Sequence, residues 1–108
     1  MKFYLAGKIT GDPEYRKKFA AAEGYIRDFT GAGTVVISPA VLPEGLSKAE
    51  YMRCCFAMLD SADAAVFMPD WIDSPGARLE KQWCEYTGKA VIFIPDGKAE
   101  PSRKGDGV

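Results

Sequence analysis

Histidine is absent from this 108-residue chain, and its absence removes a large share of enzyme chemistry. Without imidazole there is no Ser-His-Asp or Cys-His nucleophile system, no H-E-x-x-H zinc site and no imidazole proton shuttle. Cysteine is scarce: of the three, Cys54 and Cys55 are adjacent and Cys84 is left over. Adjacent cysteines rarely bridge and no C-x-x-C spacing is present, so reduced thiols are expected, with no metal and no other cofactor. Charge of one sign is also missing in bulk. Fourteen basic against fifteen acidic residues leave a net charge of −1, which gives no electrostatic case for a nucleic-acid polymer or an anionic membrane. No apolar run approaches membrane-spanning length, and Met1-Lys2 runs straight into a strand with no signal-peptide pattern, which predicts a cytoplasmic protein. Any chemistry must therefore run on carboxylates, hydroxyls, thiols, lysines or backbone dipoles.

What remains is ordinary globular material. Hydrophobic residues make up 47% and charged residues 27% of a chain long enough for one domain with its own core. Lys2 to Ala6 reads as a first strand and Gly7 to Gly11 as the loop after it. Asp12 is placed to cap a helix with Pro13 at its first position. Tyr15, Phe19, Ala22, Ile26 and Phe29 then repeat at helical spacing, which puts one stripe against a core. Thr34 to Ile37 is a β-branched run of the kind found in buried parallel strands. Ser47-Lys48-Ala49-Glu50 is a capping box, and the helix it opens carries Met52, Cys55, Phe56 and Leu59 on one face. Asp63 to Met68 is a third strand, Pro75 to Tyr86 a third helix closed by Gly88, and Ala90 to Ile94 a fourth strand. Trp83 and Tyr86 are expected in the core. Residues 98–108 read as a polar tail, leaving residues 1–97 as the domain. The alternation of strand and helix predicts an α/β fold: a flavodoxin- or Rossmann-like parallel sheet of four to five strands, right-handed crossovers and helices on both faces.

The segment Asp70-Trp71-Ile72-Asp73-Ser74-Pro75-Gly76-Ala77-Arg78-Leu79-Glu80 falls where a strand's carboxyl end meets a helix amino end, the usual ligand position in open α/β sheets. Ser74 suits the N-cap, Pro75 the first helical position, and Gly76 and Ala77 leave backbone N–H groups uncovered, so an anion such as phosphate is favoured there. Two readings follow. Either Ser74 is an ordinary cap and Glu80 an ordinary surface helix residue, or Ser74 and Gly76 cradle a phosphate beside a reactive Glu80. Arg78, in the first helical turn, opposes the local dipole, which points to an anion partner. Lys8 is either a phosphate contact or a solvated loop lysine. Trp71 either stacks on a base or packs over the sheet edge.

Four separated segments resemble one family, the nucleoside 2-deoxyribosyltransferase-like proteins. Tyr4-Leu5-Ala6-Gly7-Lys8-Ile9 is similar to their Y-x-x-G-x-I opening, and Asp63 begins a strand as their A-D-x-x-V segment does. Ser74-Pro75-Gly76-Ala77-Arg78-Leu79-Glu80 resembles their S-x-G-x-x-x-E signature with the same spacing, and Gly88-Lys89-Ala90-Val91 resembles their G-K-x-V strand entry. Within that family the chain resembles small uncharacterised proteins with a G-W-x-x-S-x-G-A-R-x-E motif, Asp70-Trp71 here standing for their Gly-Trp. The likeness runs from Phe3 to about Pro95.

The resemblance implies cleavage or transfer at the N-glycosidic bond of a deoxyribonucleoside or its 5′-monophosphate. Glu80 would be the nucleophile, attacking the anomeric carbon in retaining fashion. Ser74 and Gly76 would contact phosphate or sugar, and Tyr4 and Gly7 would line the substrate loop, with Lys8, Asp70, Trp71 and Arg78 as further substrate-binding candidates. It also implies a homo-oligomer. One departure stands out: Cys55 occupies the position of an Asp that helps protonate the leaving base, and a neutral thiol is a poor general acid near pH 7. Three consequences stay open: another acid such as Asp70 or Asp73 substitutes, the substrate carries a better leaving group, or the chain binds nucleotide without turnover.

Overall fold

The computed structural model describes residues 1–96; the expected polar tail of residues 98–108 lies outside them. Four strands form one all-parallel sheet: β1 (Lys2–Ala6), β2 (Val35–Ile37), β3 (Ala64–Phe67) and β4 (Ala90–Phe93), in the order β2-β1-β3-β4. Three helices connect them, α1 (Tyr15–Thr30), α2 (Lys48–Asp60) and α3 (Pro75–Thr87), with short 3-10 turns at Pro39–Val41 and Pro69–Asp73. The expected α/β sheet with helices on both faces is the one observed, at the lower of the two strand counts.

Alternation along the central strands sorts the core into two halves. Phe3 and Leu5 of β1 and Ala64 and Val66 of β3 pack with Tyr15, Phe19, Ala22 and Ile26 of α1. Tyr4 and Ala6, with Ala65 and Phe67, face Cys55 and Leu59 of α2 and Ala77 and Cys84 of α3. Period two along the strands meets period 3.6 along the helices. The chain moves from β1 outward to β2 and then returns past β1 to β3, so the strand order reverses between β1 and β3. That reversal opens a crevice at their carboxyl ends, where ligands bind in open α/β sheets.

Local expectations fail in four instructive places. Asp12 does not cap α1: its side chain accepts from the Glu14 N–H at 2.9 Å in a turn, and the helix begins at Tyr15. Phe29 is 73% exposed, because it sits in the last turn of α1 and stacks on Tyr25 instead of the sheet. The Thr34–Ile37 segment is an edge strand, with Val35 exposed, and not a buried one. Trp83 and Tyr86 are not core: α3 turns Ala77, Glu80 and Cys84 inward, leaving Trp83 partly and Tyr86 largely exposed. Both sets satisfy helical spacing. The small set faces the sheet, while Trp83 packs edge-on against Phe56 and its indole N–H donates to Asp60 at 2.9 Å.

Candidate active site

The crevice between β1 and β3 holds a cavity of about 290 Å³, near the small end of ligand-site volumes. Four pieces of chain enclose it, one of them Pro39 in the turn after β2. The loop after β1 contributes Gly7, Lys8, Ile9 and Thr10; the start of α2 contributes Lys48, Tyr51 and Met52; the start of α3 contributes Ser74, Pro75, Gly76, Ala77, Leu79 and Glu80.

Glu80 is no surface residue. It is 4% exposed on the inward face of α3, and Tyr4, fully buried on β1, donates its phenolic O–H to Glu80 Oε2 at 2.5 Å. No buried side-chain oxygen or nitrogen lacks a partner among the described residues. Oε1, which accepts no protein hydrogen bond there, must therefore reach open space, and Glu80 does line the cavity. Burial pushes its carboxyl from the ordinary 4.5 up to about 7, and the bond from Tyr4 pulls the other way. Near neutral pH Glu80 is thus divided between carboxylate and acid.

Behind this pair lies Cys55, 4% exposed in the same buried cluster as Tyr4. Burial pushes its thiol up to about 12, an effect only partly offset by the Tyr4 phenol. Burial, followed by the charge of Glu80, likewise drives the Tyr4 hydroxyl well above its usual value. Both groups stay protonated at any physiological pH. Cys55 does not stand on the cavity wall, which on this helix is made by Tyr51 and Met52.

Ser74 caps α3 as its sequence suggests, accepting from the Ala77 N–H at 3.2 Å. That bond occupies one of the first-turn donors and Pro75 has none, so Gly76 supplies the open backbone N–H. A Cβ on Gly76 would stand 3.1 Å from Met52 Sδ, and on Gly7 2.8 Å from Met68 Sδ. Both glycines let backbone approach where side chains would collide.

The other candidates divide. Lys8 lines the cavity, and so does Lys48, which sequence reasoning missed: it reads as an ordinary first residue of a capped helix, and only the fold brings it opposite Ser74. Asp70, Trp71 and Arg78 stand apart from the cavity lining. Asp70 accepts from the Lys8 backbone N–H at 3.1 Å and pairs with Lys18. Trp71 packs over the sheet edge, its ring 5.7 Å from that of Phe67 and 5.8 Å from that of Phe93, with Lys81 Nζ 5.8 Å from its centroid. Arg78 and Asp73 are exposed. Among the described residues, Glu80 is the only carboxyl group lining the cavity, and no cluster of histidine, cysteine or acidic residues suits a metal ion.

Fold and site together define a small parallel α/β domain with a buried, neutral-range carboxyl at the sheet's switch point. The chain belongs to the family described as a domain of unknown function (DUF4406), which it matches over residues 1–93. No curated protein matches the sequence. Among solved structures, a 2-deoxyribosyltransferase from the psychrotolerant bacterium Bacillus psychrosaccharolyticus is similar at a TM-score of 0.64 and 22% identity, covering 86% of this chain and 71% of the other. The two share a fold. No helix among the described residues is long and apolar enough to cross a membrane.

Proposed function

We propose that the protein acts on the N-glycosidic bond of a 2′-deoxyribonucleoside 5′-monophosphate or its nucleoside, as a nucleoside 2-deoxyribosyltransferase-like transferase or hydrolase. The likeness to the small-protein branch with Trp71, Ser74, Gly76, Ala77, Arg78 and Glu80 in its motif supports this reading. The observation that carries it is Glu80: a buried carboxyl fixed by Tyr4 through one oxygen, its other oxygen open to the cavity at the foot of a capped helix.

In the reaction, Glu80 Oε1 attacks the anomeric carbon as the carbon–nitrogen bond breaks. The base leaves with the bonding pair and takes a proton from water. Water or a second base then attacks the same carbon and releases Glu80, so two displacements retain configuration. The Tyr4 O–H orients the carboxylate and spreads its charge. Lys8, Lys48, the Ser74 hydroxyl and the Gly76 N–H would receive the 5′-phosphate. A homo-oligomer belongs to the same reading.

A second reading, nucleotide binding without turnover, is favoured by one specific observation. Among the described residues no second carboxyl lines the cavity to protonate the leaving base, and Cys55 is too weak an acid and stands behind Tyr4. Incubation with a panel of deoxynucleosides and their 5′-monophosphates, assaying free base, separates the two. Release of base by the wild type and not by Glu80→Gln supports catalysis. Monophosphate binding by calorimetry with no base released supports the binding reading. Equal affinity for nucleoside and monophosphate, in the wild type and in Gly76→Val, removes the phosphate cradle.

A further inference from the structure

We infer that Lys18, acting through Asp70 and Asp12, is the positioning residue that fixes the cavity wall built by the loop after β1. Lys18 is on α1, outside the cavity lining, with only 16% of its side chain exposed. Its ammonium group has three donors and three acceptors around it. It pairs with Asp70 Oδ2, approaches Asp12 Oδ2 at 2.5 Å, and donates to the Lys8 carbonyl at 2.8 Å. Asp70 Oδ1 in turn accepts from the Lys8 N–H at 3.1 Å. Both backbone polar groups of Lys8 are therefore held by one ion-paired unit.

That unit joins three separate pieces of chain: the loop, α1 and the 3-10 turn after β3. The loop is pressed onto its seat as well as tied to it, since a Cβ on Gly7 would come within 3.2 Å of Asp70 Oδ1. A turn bond from the Asp12 N–H to the Ile9 carbonyl, at 3.1 Å, closes the loop's far end. The tethered residue stands between Gly7 and Ile9, all three lining the cavity, so the ion-paired unit sets the shape of that wall without touching what lies inside. Partial burial makes such a unit stiffer than a surface pair.

The assignment of the cavity to nucleotides is inherited from the proposed function; the mechanical role of Lys18 is independent of it. Loosening the wall weakens binding while leaving the chemistry at Glu80 alone. A residue that merely braced the fold would lower stability throughout and would not separate KM from kcat.

The test takes Lys18→Met, Lys18→Arg and Asp70→Asn through amide hydrogen exchange in the ligand-free protein. Kd for thymidine and deoxyadenosine 5′-monophosphates, and KM and kcat on whichever substrate the panel yields, complete it. In Lys18→Met the amides of Lys8 and Asp12, which donate to Asp70 Oδ1 and to the Ile9 carbonyl, should exchange at least about tenfold faster, with those of β1 and β3 unchanged. Kd and KM should rise about tenfold, kcat staying within about threefold and its pH profile unmoved. Lys18→Arg should recover part of the protection by keeping the charge. Should Lys18→Met fail to fold, Asp70→Asn carries the same expectations at smaller size. Unchanged loop exchange, or uniform loss of protection with no separation of KM from kcat, overturns the role of Lys18. A wild type that neither binds nor cleaves nucleotides, with fast loop exchange in the variants, overturns the nucleotide reading instead and leaves the tether standing.

Discussion

Asp70 and Glu80 leave the same connection after β3 and end in opposite electrical surroundings. Asp70 has a lysine on one oxygen and a backbone N–H on the other, a set of partners that satisfies its charge. Glu80 has a phenol on one oxygen and an open cavity at the other, and burial holds its carboxyl near 7. A carboxylate with both oxygens engaged is a brace. One that is desolvated and left half unpaired has an oxygen free for a ligand. The resemblance makes Glu80 a nucleophile and Asp70 a substrate contact; the structure leaves Glu80 on the cavity lining and ties Asp70 to Lys18 outside it.

The largest test of that contrast is kinetic. Glu80→Gln keeps the acceptor for Tyr4 but removes the proposed nucleophile, and should lower kcat at least about a hundredfold. Asp70→Asn should leave kcat within about threefold, as measured by steady-state assay of free base. Equal losses in the two variants would erase the distinction.

Stability sharpens it with opposite sign. Below the unfolded value of 4.5 both states of Glu80 are protonated. Between 4.5 and about 7 the folded protein keeps a proton that the unfolded chain releases, so stability falls as pH rises. Above about 7 the full cost of burying the charge remains, on the order of 3 kcal/mol. Denaturant unfolding at pH 4 and pH 8.5 should therefore show Glu80→Gln gaining on the wild type by that order at the alkaline end. A constant difference across pH would contradict the buried, raised carboxyl.

Cys55 probes the ground behind the pair. Cys55→Asp places a carboxyl in an apolar cluster and should cost about 1–3 kcal/mol in unfolding free energy. Cys55→Ser should change turnover less than about threefold, since neither group is a useful acid. A large loss with the fold preserved by circular dichroism would make the thiol a working group. The subtlest effect belongs to Tyr4→Phe. Removing the donor relieves the one influence that lowers the Glu80 value, so the rise of kcat with pH should move to higher pH. A profile that stays in place would show that the hydrogen bond does nothing to the carboxylate.

Much of the fold was legible from pattern alone. The four strands, the capping boundaries at Ser47 and Ser74 and the alternation of elements follow from local rules, and the structure reproduces each. The inward face of α3 was not legible, because Leu79, Trp83 and Tyr86 offer a stronger hydrophobic stripe than Ala77, Glu80 and Cys84. Close packing on the sheet selects small residues, a tertiary demand that periodicity does not register. Lys18 and Lys48 were equally invisible: one is the second of two adjacent lysines on α1 and the other the first residue of α2, and neither stands out until the crossovers bring both helix starts to the same end of the sheet. Asp12 carried an N-cap signal that the structure spends on a turn and on Lys18. The Ser74-to-Glu80 spacing pointed to a helix end that lines the cavity, but only the fold shows that Glu80 is buried against Tyr4.

The most direct test of Glu80 as nucleophile is the intact mass of the protein, acid-quenched during reaction with a 2′-deoxynucleoside 5′-monophosphate from the panel. The wild type should carry an added deoxyribosyl-phosphate mass located by fragmentation on Glu80, and Glu80→Gln should carry none. Base release with no adduct on Glu80, or the same adduct on Glu80→Gln, would contradict the account.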